Sequence, residues 1–170
     1  MSPLHTAVLI FLLPIPFFHL LLHAFLPFWR RHPLLTYAMG AVLWIAAAVL
    51  AALVRDATWQ IYSPPSWLAA PSISIGAIGA FLATWSIATI GPRRFLVWAV
   101  LKPENTEQKY IPSGPFRFLS HPAYTGYLLV WFALAIGTGY VVFVVSCVLA
   151  AMLFPIVVRL ENNELHERVG

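Results

Sequence analysis

Long apolar segments dominate this sequence, and short polar connections separate them. The apolar runs at about 4–29, 34–54 and 67–90 are each long enough to cross a hydrocarbon core of about 30 Å as a helix, at about 1.5 Å per residue. Pro14 and Pro16 interrupt the first run, and in lipid they are expected to kink a helix rather than end it. The pattern therefore predicts three membrane spans within residues 1–90.

A fourth apolar run, from Ala123 to Val158, contains no charged residue. As one straight helix it would measure roughly 54 Å, which is too long for one crossing of the bilayer. Gly137-Thr138-Gly139 is the strong helix breaker near its centre, so we predict a helical hairpin there. The expected fold is an all-α transmembrane bundle of about five spans. Residues 1–170 then form a single membrane domain, in which 91–170 supply a polar loop, the hairpin and a tail.

The composition supports a membrane protein. Hydrophobic residues make up 61% of the chain and charged residues 9%, and the mean hydropathy is +0.82. Soluble proteins carry about a quarter charged residues. The formal charge of +4 comes from basic residues that are scattered over the connections, which argues against a nucleic-acid partner. Cys147 lies alone inside an apolar run, so no disulfide or thiolate metal cluster is expected.

Lysine and arginine lie almost entirely on one side of the predicted spans. Of the 10 basic residues, only Arg55 follows span two, and the others follow span one, three or five. The positive-inside rule then places the amino terminus outside, with the 91–121 connection and the carboxyl tail in the cytosol.

Two other patterns predict packing and anchoring rather than chemistry. Ser72, Gly76 and Ala80 recur every four residues in span three, which is typical of a small-residue face that packs against a neighbouring helix. The basic and aromatic segment 93–98 is expected to lie along the membrane interface as an anchor.

The polar stretch 114–126, just before span four, carries the best candidates for chemistry. Pro122 suits the first turn of a helix, so His121 is expected immediately before span four, with Tyr124 on its first turn. Glu161 follows span five, and a hairpin brings its two outer ends together. We therefore predict that His121, Tyr124 and Glu161 meet in one pocket. The sequence shows no His/Cys zinc set, Gly-rich phosphate loop or Ser-His-Asp arrangement, which argues against hydrolysis.

Three runs carry a resemblance to a known family: QKYIPSGPF at 108–116, SHPAYTG at 120–126, and the tail at 161–170. Over about residues 90–170 the chain resembles the carboxy-terminal half of the isoprenylcysteine carboxyl methyltransferases. Their pattern is approximately L-V-T-x-G-P-Y-x-x-x-R-H-P-x-Y-x-G, a hydrophobic hairpin, and E-E-x-x-L-x-x-x-F-G. The resemblance implies an enzyme of the endoplasmic reticulum membrane, with its site facing the cytosol. It would transfer a methyl group from S-adenosylmethionine to the carboxylate of a prenylated carboxy-terminal cysteine, so its partners would be prenylated protein C-termini and membrane lipid.

The resemblance also implies a cofactor site without a general base. A substrate carboxylate is already ionised at neutral pH, so positioning and electrostatics would supply the rate without a catalytic side chain. Arg159 is the nearest candidate to bind that carboxylate, because the position of the family's usual arginine is Val157 here. The cofactor-binding residues implied by the resemblance are Gln108, Lys109, Tyr110, Ile111, Phe116, His121, Pro122, Ala123, Tyr124 and Glu161.

Departures from the family pattern keep alternatives open. Ser120 stands where the family usually has arginine, Asn162 replaces its second tail glutamate, and relatives continue beyond Gly170 with an aromatic and basic tail. The nearest enzymatic alternative is a phospholipid amine N-methyltransferase, whose ammonium substrate must first lose a proton to a base such as His121 or Glu161. The non-enzymatic alternative is a membrane scaffold with a decayed site. A sterol reductase fits less well, since it needs a nicotinamide site and a longer chain.

Overall fold

The computed structural model of the protein describes residues 1–54, 56, 59–105 and 111–169. Within these ranges helix is the regular secondary structure, and one isolated β-bridge joins Gln60 to Tyr140, so the predicted all-α class is confirmed. The helices, numbered in chain order, are α1 (Pro3–Leu12), α2 (Pro14–Ala24), α3 (Leu26–Arg31), α4 (Pro33–Val54), α5 (Ala69–Ile90), α6 (Pro92–Phe95), α7 (Trp98–Leu101), α8 (Pro122–Thr138) and α9 (Val141–Val169). Short 3₁₀ turns lie at Ser66–Leu68, Pro103–Asn105 and Gly114–Arg117.

Four stretches of helix in the described residues are long and apolar enough to cross a membrane. They agree with predicted spans one, two, three and five, and they are Pro3–Ala24, Pro33–Val54, Ser66–Ile90 and Val141–His166. The predicted fourth span is α8, an apolar helix of 17 residues, at the short end of the usual length for a crossing. The protein is therefore an integral membrane protein built as a helical bundle.

Pro14 begins a new helix without ending the first span. Leu13, between α1 and α2, has helical dihedrals (φ −58°, ψ −40°), and its N–H donates to Leu9 O at 3.0 Å. Proline lacks the N–H that a helix interior needs, but the first turn of a helix tolerates it. The prediction that these prolines leave the span intact is confirmed.

The predicted hairpin turn is confirmed at Gly139. This residue follows the end of α8 in a left-handed conformation (φ 65°), and α9 begins two residues later. The 59–62 segment covers the turn: Ile61 N donates to Gly139 O at 2.8 Å, and a Cβ on Gly139 would collide with the carbonyl oxygen of Tyr62. Because the hairpin reverses the chain, the start of α8 lies beside the last part of α9.

Helices α5 and α8 approach each other through glycine. A Cβ added at Gly79 would lie 2.6 Å from Gly126 O, and one added at Gly126 would lie 2.6 Å from Gly79 O. The predicted small-residue face is partly right, because Ser72 is buried whereas Ala80 is exposed. The buried row continues through Gly79 and Ala83 instead. With 3.6 residues per turn, a strict four-residue row drifts away from the interface.

We predict that Gly79→Ala destabilises the protein in detergent by about 1–3 kcal/mol, although alanine itself favours helix by about 1 kcal/mol. The added Cβ meets two backbone atoms of α8 and the Cβ of Leu129, which is fixed to that backbone, rather than the movable end of a side chain. Unfolding by sodium dodecyl sulfate, followed by circular dichroism, measures the change. Ser74→Ala, at an exposed position of the same helix, is the control, and equal stability of the two variants would contradict a backbone contact here.

Candidate functional site

A cavity of about 230 Å³ lies where the ends of four helices meet α6 and α7. Its wall comes from the C-terminal parts of α2 and α5, the first turns of α8 and the last part of α9. We call this space the cavity. The cavity and the hairpin turn lie at opposite ends of the bundle. The predicted topology places the cavity end on the cytosolic side of the membrane.

The start of α8 positions His121 as the sequence predicts. Pro122 is the first residue of α8, and His121 before it has non-helical dihedrals (φ −130°, ψ 65°). A residue that precedes proline avoids the helical region because the proline ring would collide with it. The imidazole of His121 lines the cavity together with Tyr124.

Glu161 lies beside both of these side chains and accepts a hydrogen bond from Tyr124. Tyr124 Oη donates to Glu161 Oε2 at 3.1 Å, and His121 Nδ1 lies 3.6 Å from the same oxygen. The rings of His121 and Tyr124 stack with their centroids 5.8 Å apart. The prediction that the hairpin brings His121, Tyr124 and Glu161 together is confirmed.

The other nitrogen of the His121 ring is also engaged. His121 Nε2 lies 3.0 Å from Asn162 Oδ1, and since an amide oxygen only accepts hydrogen bonds, the proton of this bond sits on Nε2. Both ring nitrogens of His121 therefore face acceptor oxygens on α9.

A second histidine, His19 on α2, also reaches the hydroxyl group of Tyr124. His19 Nδ1 lies 3.2 Å from Tyr124 Oη, and the two rings meet edge to face with centroids 5.4 Å apart. His19 also lines the cavity. The tyrosine hydroxyl thus joins α2 to α9, and the first membrane span becomes part of the site.

Glu164, three residues beyond Glu161, forms an ion-pair cluster with the N-terminal helices. Its Oε1 accepts from Arg30 Nη2 at 2.9 Å, and its Oε2 accepts from His23 Nδ1 at 3.0 Å. The side chains of His23 and Glu164 are only 3% and 9% exposed. Arg30 Nε also donates to Val100 O at 3.1 Å, so this arginine ties α3, α7 and α9 together. A buried carboxylate requires such partners, because a lone buried charge is costly.

The 93–98 segment, for which the sequence predicts an interfacial anchor, also contributes to the cavity. Arg94, Phe95 and Val97 all line the cavity. Val97 is buried with a φ of 56°, in a left-handed conformation that is strained for a β-branched residue. It belongs to the same buried cluster as Leu22, whose packing holds the strained turn in place. The inner side chains of this segment therefore shape the cavity.

The Gly114–Arg117 turn holds another part of the cavity wall against α5. Gly114 has a φ of 56°, and a Cβ at this position would lie 2.5 Å from Thr89 Oγ1. Pro115 beside it is buried, and Phe116 lines the cavity. The glycine therefore allows the close approach that places Phe116 at the cavity.

The structure brings most of the described cofactor-site candidates together. Those that line the cavity are Phe116, His121, Pro122, Ala123, Tyr124 and Glu161. Ile111 is described but is not part of the cavity wall, whereas Gln108, Lys109 and Tyr110 lie outside the described residues. Arg159 is exposed and does not line the cavity, so the structure does not bring it to these groups.

Sequence reasoning missed His19, His23, Arg30 and Arg94 as parts of the site. The two histidines are four residues apart, which places them on one helix face, and ionisable residues within a membrane span usually mark a functional site. The four-residue spacing of His19 and His23 could therefore have indicated a polar site on the first span. For Arg30 there was none, because its partner Glu164 is 134 residues away along the chain.

Comparison with known proteins relates more than half of the chain to one family. A family model for phospholipid methyltransferases matches residues 68–168. The match begins at the start of α5 and extends almost to the end of α9, so it includes His121 and Glu161 but not α1–α4. No curated protein and no solved structure matches the chain.

We predict that Glu164→Ala lowers the free energy of unfolding in detergent by about 2 kcal/mol, because it removes two charge-assisted hydrogen bonds to His23 and Arg30. Arg30 is one-third exposed, so water compensates part of the loss on that side. Chemical unfolding measures the effect. Asn163→Ala, at an exposed position on the same turn, is expected to change stability little, and a similar loss in both variants would argue against the ion-pair cluster.

Proposed function

Because this chain belongs to the phospholipid methyltransferase family, we propose that it transfers a methyl group from S-adenosylmethionine to the amine head group of a membrane phospholipid. Family membership supports methyl transfer in a membrane. The phospholipid amine as the methyl acceptor is our proposal. The cavity is the reaction site in this proposal.

Three imidazoles on the cavity wall support an amine acceptor. A head-group amine is protonated at neutral pH, as a lysine side chain is, and it has no lone pair until a base removes a proton. His19, His23 and His121 line the cavity with Glu161. A carboxylate acceptor needs no base, so it would leave these groups without a role in proton transfer. An ammonium group is also attracted by the carboxylate of Glu161.

The cavity wall fits S-adenosylmethionine by the chemistry of its side chains. The cofactor carries an ammonium group, a carboxylate and an adenine ring, and the wall offers an acid, a guanidinium and aromatic rings. Glu161 would bind the ammonium group, Arg94 the carboxylate, and Phe116 would pack against the adenine. When bound, the cofactor supplies an electrophilic methyl group.

Arg94 favours a second acceptor, which is the one implied by the sequence resemblance: the carboxylate of a prenylated carboxy-terminal cysteine. A guanidinium on the cavity wall can hold a carboxylate through two parallel hydrogen bonds. Arg94 would then take the role that the sequence suggested for Arg159. Since the same arginine suits the cofactor's carboxylate, the two acceptors have to be compared directly.

Both acceptors have an apolar tail that stays in the bilayer while the reacting group enters the cavity. The excess of basic residues on one side of the spans supports a cytosolic orientation of the cavity, where a water-soluble cofactor is available. The endoplasmic reticulum membrane is the location that the family resemblance implies.

The first test is methyl transfer by the purified protein with labelled S-adenosylmethionine. We expect label in N-methylated lipid when the protein is reconstituted in vesicles that contain phosphatidylethanolamine. A parallel reaction contains a farnesylated cysteine analogue, whose product would be a base-labile methyl ester. Ester formation without lipid methylation would move the assignment to the prenylcysteine enzyme. Cofactor binding without either product would reject both acceptors, and absence of cofactor binding would support the scaffold alternative.

The second test is cofactor affinity. We expect Glu161→Gln to weaken S-adenosylmethionine binding by about 10-fold or more, because a charge-assisted hydrogen bond contributes about 1.5–3 kcal/mol. Isothermal titration calorimetry in detergent measures the dissociation constant. Ser74→Ala, which is exposed and remote from the cavity, is the control. Unchanged affinity of Glu161→Gln would contradict the assignment of Glu161 to the cofactor.

A further inference from the structure

The hydrogen bonds around Tyr124 fix the proton on His19. A tyrosine hydroxyl has one proton, and Tyr124 Oη donates it to Glu161 Oε2 at 3.1 Å. The bond between Tyr124 Oη and His19 Nδ1, at 3.2 Å, therefore needs its proton from the imidazole. In neutral His19 the proton sits on Nδ1, and Nε2 carries a lone pair.

The other two imidazoles of the cavity wall are less suited to accept a proton from a substrate. His121 has both ring nitrogens directed at oxygens of α9, with Nε2 3.0 Å from Asn162 Oδ1 and Nδ1 3.6 Å from Glu161 Oε2. His23 is bonded to Glu164 and only 3% of its side chain is exposed. His19 also lines the cavity, and of its two ring nitrogens only Nδ1 has a hydrogen-bond partner among the described residues.

We propose that His19 Nε2 is the base that deprotonates the acceptor amine, and this inference rests on the proposed amine methylation. The N–H bond of the ammonium group breaks, and its proton moves to Nε2. The freed lone pair forms the N–CH₃ bond while the C–S bond of the methyl donor breaks, and sulfur keeps that electron pair as a neutral thioether. The imidazolium then returns its proton to water, so atoms and charge balance.

Glu161 and Tyr124 act as positioning residues for this base. When His19 becomes an imidazolium, its Nδ1–H still donates to Tyr124 Oη, and the hydroxyl proton still points to the carboxylate of Glu161. The negative charge of Glu161 thus stabilises the protonated ring through one intervening hydroxyl group, as the carboxylate does in a Ser-His-Asp triad. His19 lies outside the family match at 68–168, so the first membrane span would complete the site.

The test compares His19→Gln and His23→Gln with His32→Gln, a matched control at an exposed position away from the cavity. All are assayed in phosphatidylethanolamine vesicles with labelled S-adenosylmethionine. We expect His19→Gln to lower kcat about 100-fold or more at neutral pH while cofactor affinity stays unchanged, because a general base contributes about 10²–10⁴-fold. Raising the pH should restore part of the rate in this variant, since the amine then loses its proton to solvent.

A lipid with a 3-amino-2,2-difluoropropyl phosphate head group gives an independent measurement. Its ammonium group is more acidic, so it needs no base, and the His19→Gln variant should methylate it nearly as fast as the unmodified protein does. A His19→Gln variant with normal kcat on phosphatidylethanolamine would overturn the inference, and so would a loss confined to His23→Gln. Equal loss with both amines would also overturn it, since that points to a structural role.

Two further outcomes distinguish a failure of the proposed function from a failure of the role assigned to His19. If the unmodified protein methylates no amine, the proposed acceptor fails and His19 loses this role with it. If His19→Gln fails to bind S-adenosylmethionine because it does not fold, Tyr124→Phe decides the question. That variant keeps the ring but removes the hydroxyl link, so kcat on phosphatidylethanolamine should fall while the fluorinated amine remains a good acceptor. Normal kcat on both amines in Tyr124→Phe would overturn the link between Glu161 and His19.

Discussion

Two carboxylates near the end of an otherwise apolar helix set the main constraint on this structure. Glu161 and Glu164 both lie on α9, within or beside its membrane-spanning stretch, where lipid offers no hydrogen bonds. Each carboxylate therefore has to find its partners inside the protein. Glu161 takes them from α8, and Glu164 takes them from α2 and α3. Satisfying these two charges joins the first span to the last at the cavity.

The bundle achieves this because its helices can approach closely at a few defined points. Glycine at Gly79 and Gly126 lets the backbones of α5 and α8 touch, and glycine at Gly139 allows the tight reversal into α9. Gly114 lets the wall segment reach the end of α5. At these positions a Cβ atom would collide with a neighbour, and at Gly114 and Gly139 the positive φ also disfavours other residues. Close helix packing and the conformational range of glycine therefore determine where the polar groups meet.

The resulting site is composite. The α8–α9 hairpin, which the family model covers, supplies His121, Tyr124 and Glu161, whereas the N-terminal span outside the match supplies His19 and His23. In the proposed function the cofactor binds the hairpin, and the base that accepts the proton lies on another span. The position of the methyl donor and the position of the base would then be set by different helices. The strained Val97 and the inward Arg94 show that the connection after α5 is also shaped around the cavity.

The sequence by itself determined the membrane class, the approximate positions of the spans along the chain, the hairpin at Gly139 and the meeting of His121, Tyr124 and Glu161. These follow from apolar length, from breaker residues and from the proline after His121, all of which act locally or through one reversal of the chain. It did not show the exposed position of Arg159 or the drift of the small-residue face to Gly79 and Ala83. Only the tertiary structure decided which polar residues of the first span reach α9, since Glu164 meets His23 across 141 residues of sequence. The pairing of residues on distant helices depends on how those helices rotate and pack against each other. A local sequence pattern cannot predict it.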